Sequence, residues 1–162
     1  MKRVKTAAVL ALAATTTATI AATAAPVGAA DYQAFRACVE AVEDAAVTAT
    51  FHHCAAEIAA PCGASATAKE AAACIDAKRV GIEAEIDAQI ARLAAAEGDK
   101  ETEVRSALDA NRAAGVASCA VVAQRDASNG VAIGQRAVNG AFCQLVVSGD
   151  VLGLAYRLEA EE

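Results

Sequence analysis

The distribution of six cysteines is the feature that most constrains how this chain can fold. All of them follow residue 30, and they are Cys38, Cys54, Cys62, Cys74, Cys119 and Cys143. An even number of cysteines in a small exported domain is typical of a complete set of disulfides. Whether these cysteines become oxidised depends on export, which the segment before them would direct.

The first thirty residues have the organisation of a secretory signal peptide. Three basic residues lie among the first five, and an apolar run follows from Ala7 through Ala14. Small residues suited to cleavage precede Ala30 and Asp31, so we predict that residues 1–30 are a signal peptide. Threonines interrupt the apolar segment, which falls short of the roughly 20 continuous apolar residues of a membrane span. We therefore expect a periplasmic or secreted protein with no membrane span after signal cleavage.

The predicted mature chain is strongly acidic. The full sequence has 14 Lys and Arg against 20 Asp and Glu, and removing residues 1–30 takes away three basic residues and no acidic one. The remaining 11 basic and 20 acidic residues give a formal charge of −9. Nucleic acid is a disfavoured partner, because phosphate backbones are bound by clustered Lys and Arg. We expect a cationic partner, such as a basic protein, and a length that suits one domain.

The composition predicts an all-α fold. Only two prolines and five aromatic residues occur, whereas Ala, Glu, Lys, Arg and Gln dominate long stretches. We predict a disulfide-stapled antiparallel bundle of three to four helices, made of an amino-terminal helical segment at 31–61 and a helical domain at 62–162. In the first segment the β-branched run at 47–51 predicts a bend or break, and Pro61 predicts the end of the helix.

Local motifs place three longer helices after this segment. Thr67 and Glu70 have the capping-box spacing that starts a helix, and Gly98 is suited to ending it. Asp99 can cap the next helix, and Asn129-Gly130 predicts a turn. The residues expected to face inward are Ile75, Ile82, Ile86, Ile90 and Leu93 in the first helix, Val104, Leu108, Gly115, Cys119 and Val122 in the second, and Val138, Phe142, Leu145, Leu154 and Leu158 in the third. The third, about 132–158, is expected to be interrupted at 148–150.

The short turns near residues 98 and 130 bring three cysteines to one level of the bundle without deciding which of them pair. They make consecutive helices antiparallel neighbours, which puts Cys119 level with both Cys74 and Cys143. We favour the set Cys119–Cys143, Cys62–Cys74 and Cys38–Cys54. The competing set joins Cys74 to Cys119 and Cys62 to Cys143. In either set each disulfide would stabilise the fold by roughly 2 to 4 kcal/mol, which offsets the small apolar area that an alanine-rich core buries.

The last four cysteines carry a family resemblance. Eleven, forty-four and twenty-three residues separate them, in a chain of three helices that follows a signal peptide. This pattern, from about Cys62 to Leu158, resembles the LprI-type lysozyme inhibitor family, whose LprI-like domains are small exported four-cysteine helical proteins. The resemblance implies a helical scaffold and inhibition of a lysozyme. Family members usually carry a tryptophan and an aromatic-Arg-Asp group before the cysteine equivalent to Cys119, where this chain has Asn111 and Ala114 to Val116.

Two clusters of side chains are candidates for a metal site or a catalytic site. His52, His53 and Cys54, with Glu57 one turn later, offer ligands of the types that bind zinc, but a cystine sulfur is not a ligand and adjacent histidines point to different sides of a helix. Glu83 and Asp87 have helical i,i+4 spacing, with Glu85 between them, and are better explained as a solvated acidic face than as a glycosidase pair. No nucleophile motif or phosphate-binding loop occurs. We therefore predict no enzyme activity, metal or cofactor.

An acidic run at one helix junction is the candidate partner-binding site. It consists of Glu97, Asp99, Glu101 and Glu103, with Lys100 and Arg105 nearby. Clustered carboxylates on an exposed tip speed association with a basic partner through long-range attraction. The simpler alternative is that these charges only keep the loop soluble.

The cysteine count leads to a first prediction. Thiol labelling of the exported protein under denaturing, non-reducing conditions should modify none of the six cysteines, and prior reduction should expose all six. Mass spectrometry of the labelled chain gives the number directly. One or two labelled cysteines without reduction would contradict complete pairing and revive a metal or redox site around Cys54.

Overall fold

Five α-helices form the fold in the computed structural model, which describes residues 29–41, 47–97 and 101–160. They are α1 (Ala29–Ala41), α2 (Val47–Ala59), α3 (Ala68–Glu97), α4 (Glu101–Ser128) and α5 (Ile133–Ala160). A short 3₁₀ helix at Ala60–Ala64 follows α2. The described part of the chain contains no strand, which confirms the predicted all-α, disulfide-stapled bundle.

Helix α5 lies at the centre of the bundle. It packs most extensively on α3 and also contacts α2 and α4. Its side chains Leu145, Val151 and Leu152 are completely buried, as are Ile82 and Ile86 of α3. The five apolar residues that the sequence placed on the inner face of α3 are all buried, so the helical period was sufficient to identify the α3 core.

Three disulfides join the elements in the favoured set. The bonds are Cys38–Cys54, Cys62–Cys74 and Cys119–Cys143. The first joins α1 to α2, the second joins the 3₁₀ helix to α3, and the third joins α4 to α5. The competing set, which needed Cys74 beside Cys119, is therefore wrong. All six cysteines lie in described residues, and none is free.

Local capping fixes two of the helix ends. The Thr67 amide donates to Glu70 Oε2 at 3.0 Å, and the Glu70 amide donates to Thr67 Oγ1 at 3.2 Å, which confirms the capping box. Gly130 has a φ of 71°, and the Val131 amide donates to the Asp126 carbonyl across the end of α4. This left-handed glycine makes the turn predicted at Asn129-Gly130. Gly98 and Asp99, the other predicted helix stop and cap, lie outside the described residues.

Helix α1 docks on α5 through aromatic side chains. The Tyr32 and Tyr156 ring centroids are 6.3 Å apart, and the Arg36 guanidinium lies 5.9 Å from the Tyr156 ring centroid. Burial, followed by the effect of Tyr32, raises the pKa of the Tyr156 hydroxyl. Phe35 of α1 is completely buried. The amino-terminal segment is thus part of the same core as α5.

One of the two expected helix interruptions is absent. The amino-terminal segment is divided into α1 and α2, and the run at 47–51 is itself helical and opens α2. Ser148, Gly149 and Asp150 lie within an unbroken α5. A Cβ at Gly149 would be 3.1 Å from the Phe35 ring, and one at Gly153 would overlap the Phe51 ring. These glycines admit two aromatic rings to the helix surface instead of ending the helix.

The predicted export signal is only partly covered. Residues 1–28 lie outside the described residues, and Ala29 and Ala30 begin α1.

Among the described helices, α5 is the one whose length and mean hydropathy of 1.4 would suit a membrane span, over Ile133–Leu158. The core helix of a bundle in water can have the same composition. Helix α5 contacts α2, α3 and α4.

The glycine packing gives a second prediction. Gly153→Ala should destabilise the fold by about 1–3 kcal/mol, because the added methyl overpacks the Phe51 ring. Gly140→Ala, in the same helix, meets no atom within 4 Å and should stabilise the fold by about 0.5–1 kcal/mol. Urea denaturation measures both changes. If both variants changed the free energy of unfolding by the same amount, helix propensity and not packing against a ring would govern stability at these positions.

Candidate functional site: an acidic junction and a cleft beside a disulfide

The acidic run flanks the connection between the two long helices. Helix α3 ends at Glu97 and α4 begins at Glu101, so the run spans the end of one helix and the start of the next along the chain. Glu103 is exposed in the first turn of α4. The side chains of Glu97 and Glu101, and all of Asp99, lie outside the described residues. The structure thus shows one of the four predicted partner-binding side chains to be exposed.

The carboxylates in the middle of α3 have structural partners. Glu83 Oε2 lies 2.7 Å from Arg79 Nη1, and Glu83 Oε1 accepts a hydrogen bond of 3.1 Å from Ser148 Oγ. The Ser148 bond joins α3 to α5. Glu85 pairs with Arg92, and Asp87 is exposed. Glu83 and Glu85 are thus partly exposed carboxylates whose ion pairs lie within α3, and the bond from Ser148 is the tertiary contact.

The histidine cluster is divided between two surfaces. Cys54 is buried in its disulfide, so its sulfur is not a thiolate ligand. His53 and Glu57 line an open groove of 530 Å³ between α1, α2 and α3, together with Lys78 and Pro61. His52 lies on the other side of α2. In the described part of the chain, no three His, Cys, Asp or Glu side chains are grouped as metal ligands would be.

A cleft of 340 Å³ separates α4 from α5 and is bounded at one side by α2. It is lined by His52, Val122, Arg125, Asp126, Asn139, Phe142, Cys143 and Val146. The Cys119–Cys143 disulfide holds its two long walls together. Asn139 Nδ2 donates to Asp126 Oδ2 at 2.7 Å, and Gln135 Nε2 donates to Asn139 Oδ1 at 2.9 Å. The carboxylate of Asp126, which is 8% exposed, is thus held inside the wall by a hydrogen-bond chain.

His52 closes one side of the cleft. Its ring meets the Phe142 ring edge-on, with centroids 5.6 Å apart and planes at 82°. Phe142, Val146 and Asp150 follow one another at single-turn spacing along α5. Asp150 is half-buried, and its Oδ1 has no hydrogen-bond partner in the described structure. Burial raises the pKa of the Asp150 carboxyl above its ordinary value, although His52 and Arg157 act in the opposite direction.

The sequence pattern did not predict the cleft, although the helix register contains a signal for part of its lining. Arg125, Asp126 and Asn139 match no motif. The antiparallel register that puts Cys119 beside Cys143 also brings the end of α4 near the start of α5, where Asp126 meets Asn139. The position of His52 over Phe142 depends on how α2 docks, and no local pattern contains that information. The arrangement offers an apolar floor with polar groups at its rim.

No family model, curated protein or solved structure matches this chain. The resemblance to the LprI-type family therefore stays a prediction from the cysteine spacing.

The environment of Asp150 gives a third prediction. A carboxyl whose pKa is raised in the folded state lowers the free energy of unfolding when it is ionised. This loss of stability is absent below the unfolded pKa near 3.8 and grows as pH rises through the folded pKa. Asp150→Asn should thus raise the melting temperature at pH 7 and have little effect at pH 3. The gain should be less than about 1 kcal/mol, since solvent screens a half-exposed group. Calorimetry across this range tests it.

Asp87→Asn is the matched control, because it removes the same charge from an exposed position on α3. A similar gain in the Asp87 variant at pH 7 would assign the effect to net charge and contradict the role of burial at Asp150.

Proposed function

We propose that the protein is an exported, non-enzymatic binding protein that resembles lysozyme inhibitors and masks a cationic cell-wall hydrolase. The observation that carries this proposal is the formal charge of −9 on residues 31–162, with an acidic run at the α3–α4 junction. Three disulfides are typical of proteins in an oxidising compartment, where such hydrolases act.

The position of the acidic junction supports a role in recognition. It connects helices of 30 and 28 residues, the two long helices α3 and α4. Carboxylates at such a junction attract a basic protein over long range and accelerate the encounter more than they strengthen the final complex. The resemblance over residues 62–158 adds the expectation that the basic partner is a lysozyme.

Inhibition requires more than attraction. A partner covering the hydrolase must bury an interface of about 1,200–2,000 Å², which exceeds the area of four side chains. The neighbouring faces of α3 and α4 are the surfaces available for it in this proposal. The competing function is that of a structural or interaction module of the cell envelope that does not inhibit a hydrolase.

Binding and lysis assays with a basic lysozyme provide the fourth prediction. The purified mature protein should slow lysis of cell walls at micromolar concentration, and its association rate should fall as salt rises, because ions screen charges beyond about 10 Å at 0.1 M. Neutralising Glu97, Asp99, Glu101 and Glu103 to Gln or Asn should lower the association rate about ten-fold. Stopped-flow kinetics and turbidity of a cell-wall suspension measure the two effects.

A second quadruple variant controls for total charge. Neutralising Glu40, Glu57, Asp76 and Asp87 removes the same four charges from exposed positions elsewhere and should slow association less. Cytochrome c serves as a basic protein that is not a muramidase. Unhindered lysis, combined with equal binding of cytochrome c, would refute inhibition and favour the envelope module.

A further inference from the structure

We propose that the cleft between α2, α4 and α5 binds a small organic carboxylate with an aromatic or branched apolar body. This site lies apart from the acidic junction and does not depend on lysozyme inhibition. Its two requirements are an apolar floor that accepts the body and a cationic group that accepts the carboxylate.

The floor of the cleft is apolar and held in place covalently. Phe142 and Val146 come from α5, and Val122 comes from α4. The Cys119–Cys143 bond ties these helices together beside them, so the walls are held at a fixed separation without ligand. A volume of 340 Å³ is at the lower end of the range of small-molecule pockets, roughly 300–1,000 Å³. This size suits a ligand with one ring or a short branched chain.

The exposed charge at the rim is positive. Asp126 is buried and accepts a hydrogen bond from Asn139, whose own carbonyl oxygen accepts from Gln135. These bonds hold the Asp126 carboxylate below the surface of the cleft, although its negative charge remains beside Arg125. Arg125 is exposed at its edge, and no described carboxylate forms an ion pair with it. A guanidinium presents donors in a fork that matches a carboxylate.

His52 gives the rim a second polar group. Its edge-on contact with Phe142 holds the imidazole at the boundary of the apolar floor. A ligand whose body covers Phe142 and whose carboxylate reaches Arg125 passes beside this ring, where a ring N–H can donate a hydrogen bond. More distant charges are screened beyond about 8 Å at physiological ionic strength. The nearest charges are then Arg125 and the carboxylates of Asp126 and Asp150, and among these only Arg125 can donate hydrogen bonds to an anion.

Three related probes test the chemistry. A titration followed by ¹H–¹⁵N correlation spectra in 0.15 M NaCl would use 3-phenylpropionate, its neutral amide 3-phenylpropionamide, and the cation 2-phenylethylamine. We expect saturable shifts from 3-phenylpropionate at residues lining the cleft, and at least about ten-fold weaker binding of the other two probes. Binding of 2-phenylethylamine as tight as that of the carboxylate would overturn the proposal.

A pair of arginine variants tests the assigned group. Arg125→Gln should weaken 3-phenylpropionate binding about ten-fold, whereas Arg105→Gln, at the other end of α4 and with the same loss of charge, should change it less than two-fold. Both arginines are exposed, and the spectra themselves report whether the fold is kept. Equal weakening in both variants, or shifts that do not saturate by about 20 mM, would refute a carboxylate site in this cleft.

Discussion

The seating of two phenylalanine rings on glycines of α5 is the contact on which the rest of the fold depends. Phe35 of α1 lies against Gly149, and Phe51 of α2 lies against Gly153. Any larger residue at Gly153 would push α2 away. Because neighbouring residues on a helix point about 100° apart, fixing Phe51 also directs His52 along α5 to the Phe142 ring. The shape of the cleft is thus a consequence of glycine packing one to two turns away from it.

Alanine-rich helices bury little apolar area per residue, and the structure compensates through cross-links rather than through large side chains. Each disulfide joins elements that are consecutive in the chain, so the three bonds strengthen local pairs. Long-range order depends on α5, which contacts α2, α3 and α4. The Ser148–Glu83 hydrogen bond adds a polar link between α5 and α3 at the place where a break in α5 was expected.

The two proposed surfaces are separated along α4. Glu103 lies in its first turn and Arg125 in its last, which at 1.5 Å per residue puts them about 33 Å apart. A protein bound at the acidic junction would leave the cleft open, and a small ligand in the cleft would not neutralise the junction.

The sequence by itself determined the helical class, the capping box at Thr67, the turn at Gly130 and the inner face of α3, because each follows from residues within a few positions of one another. The register that short turns impose put Cys119 level with both Cys74 and Cys143 and did not choose between them. The favoured disulfide set is correct, but only the tertiary structure selected Cys143. Tertiary structure also decided that 148–150 stays helical, that Ser148 bonds to Glu83 across two helices, and that His52 lines the same cleft as Arg125, Asp126 and Asn139. These outcomes depend on the shape and charge of neighbouring helices, which periodicity and local propensity do not contain.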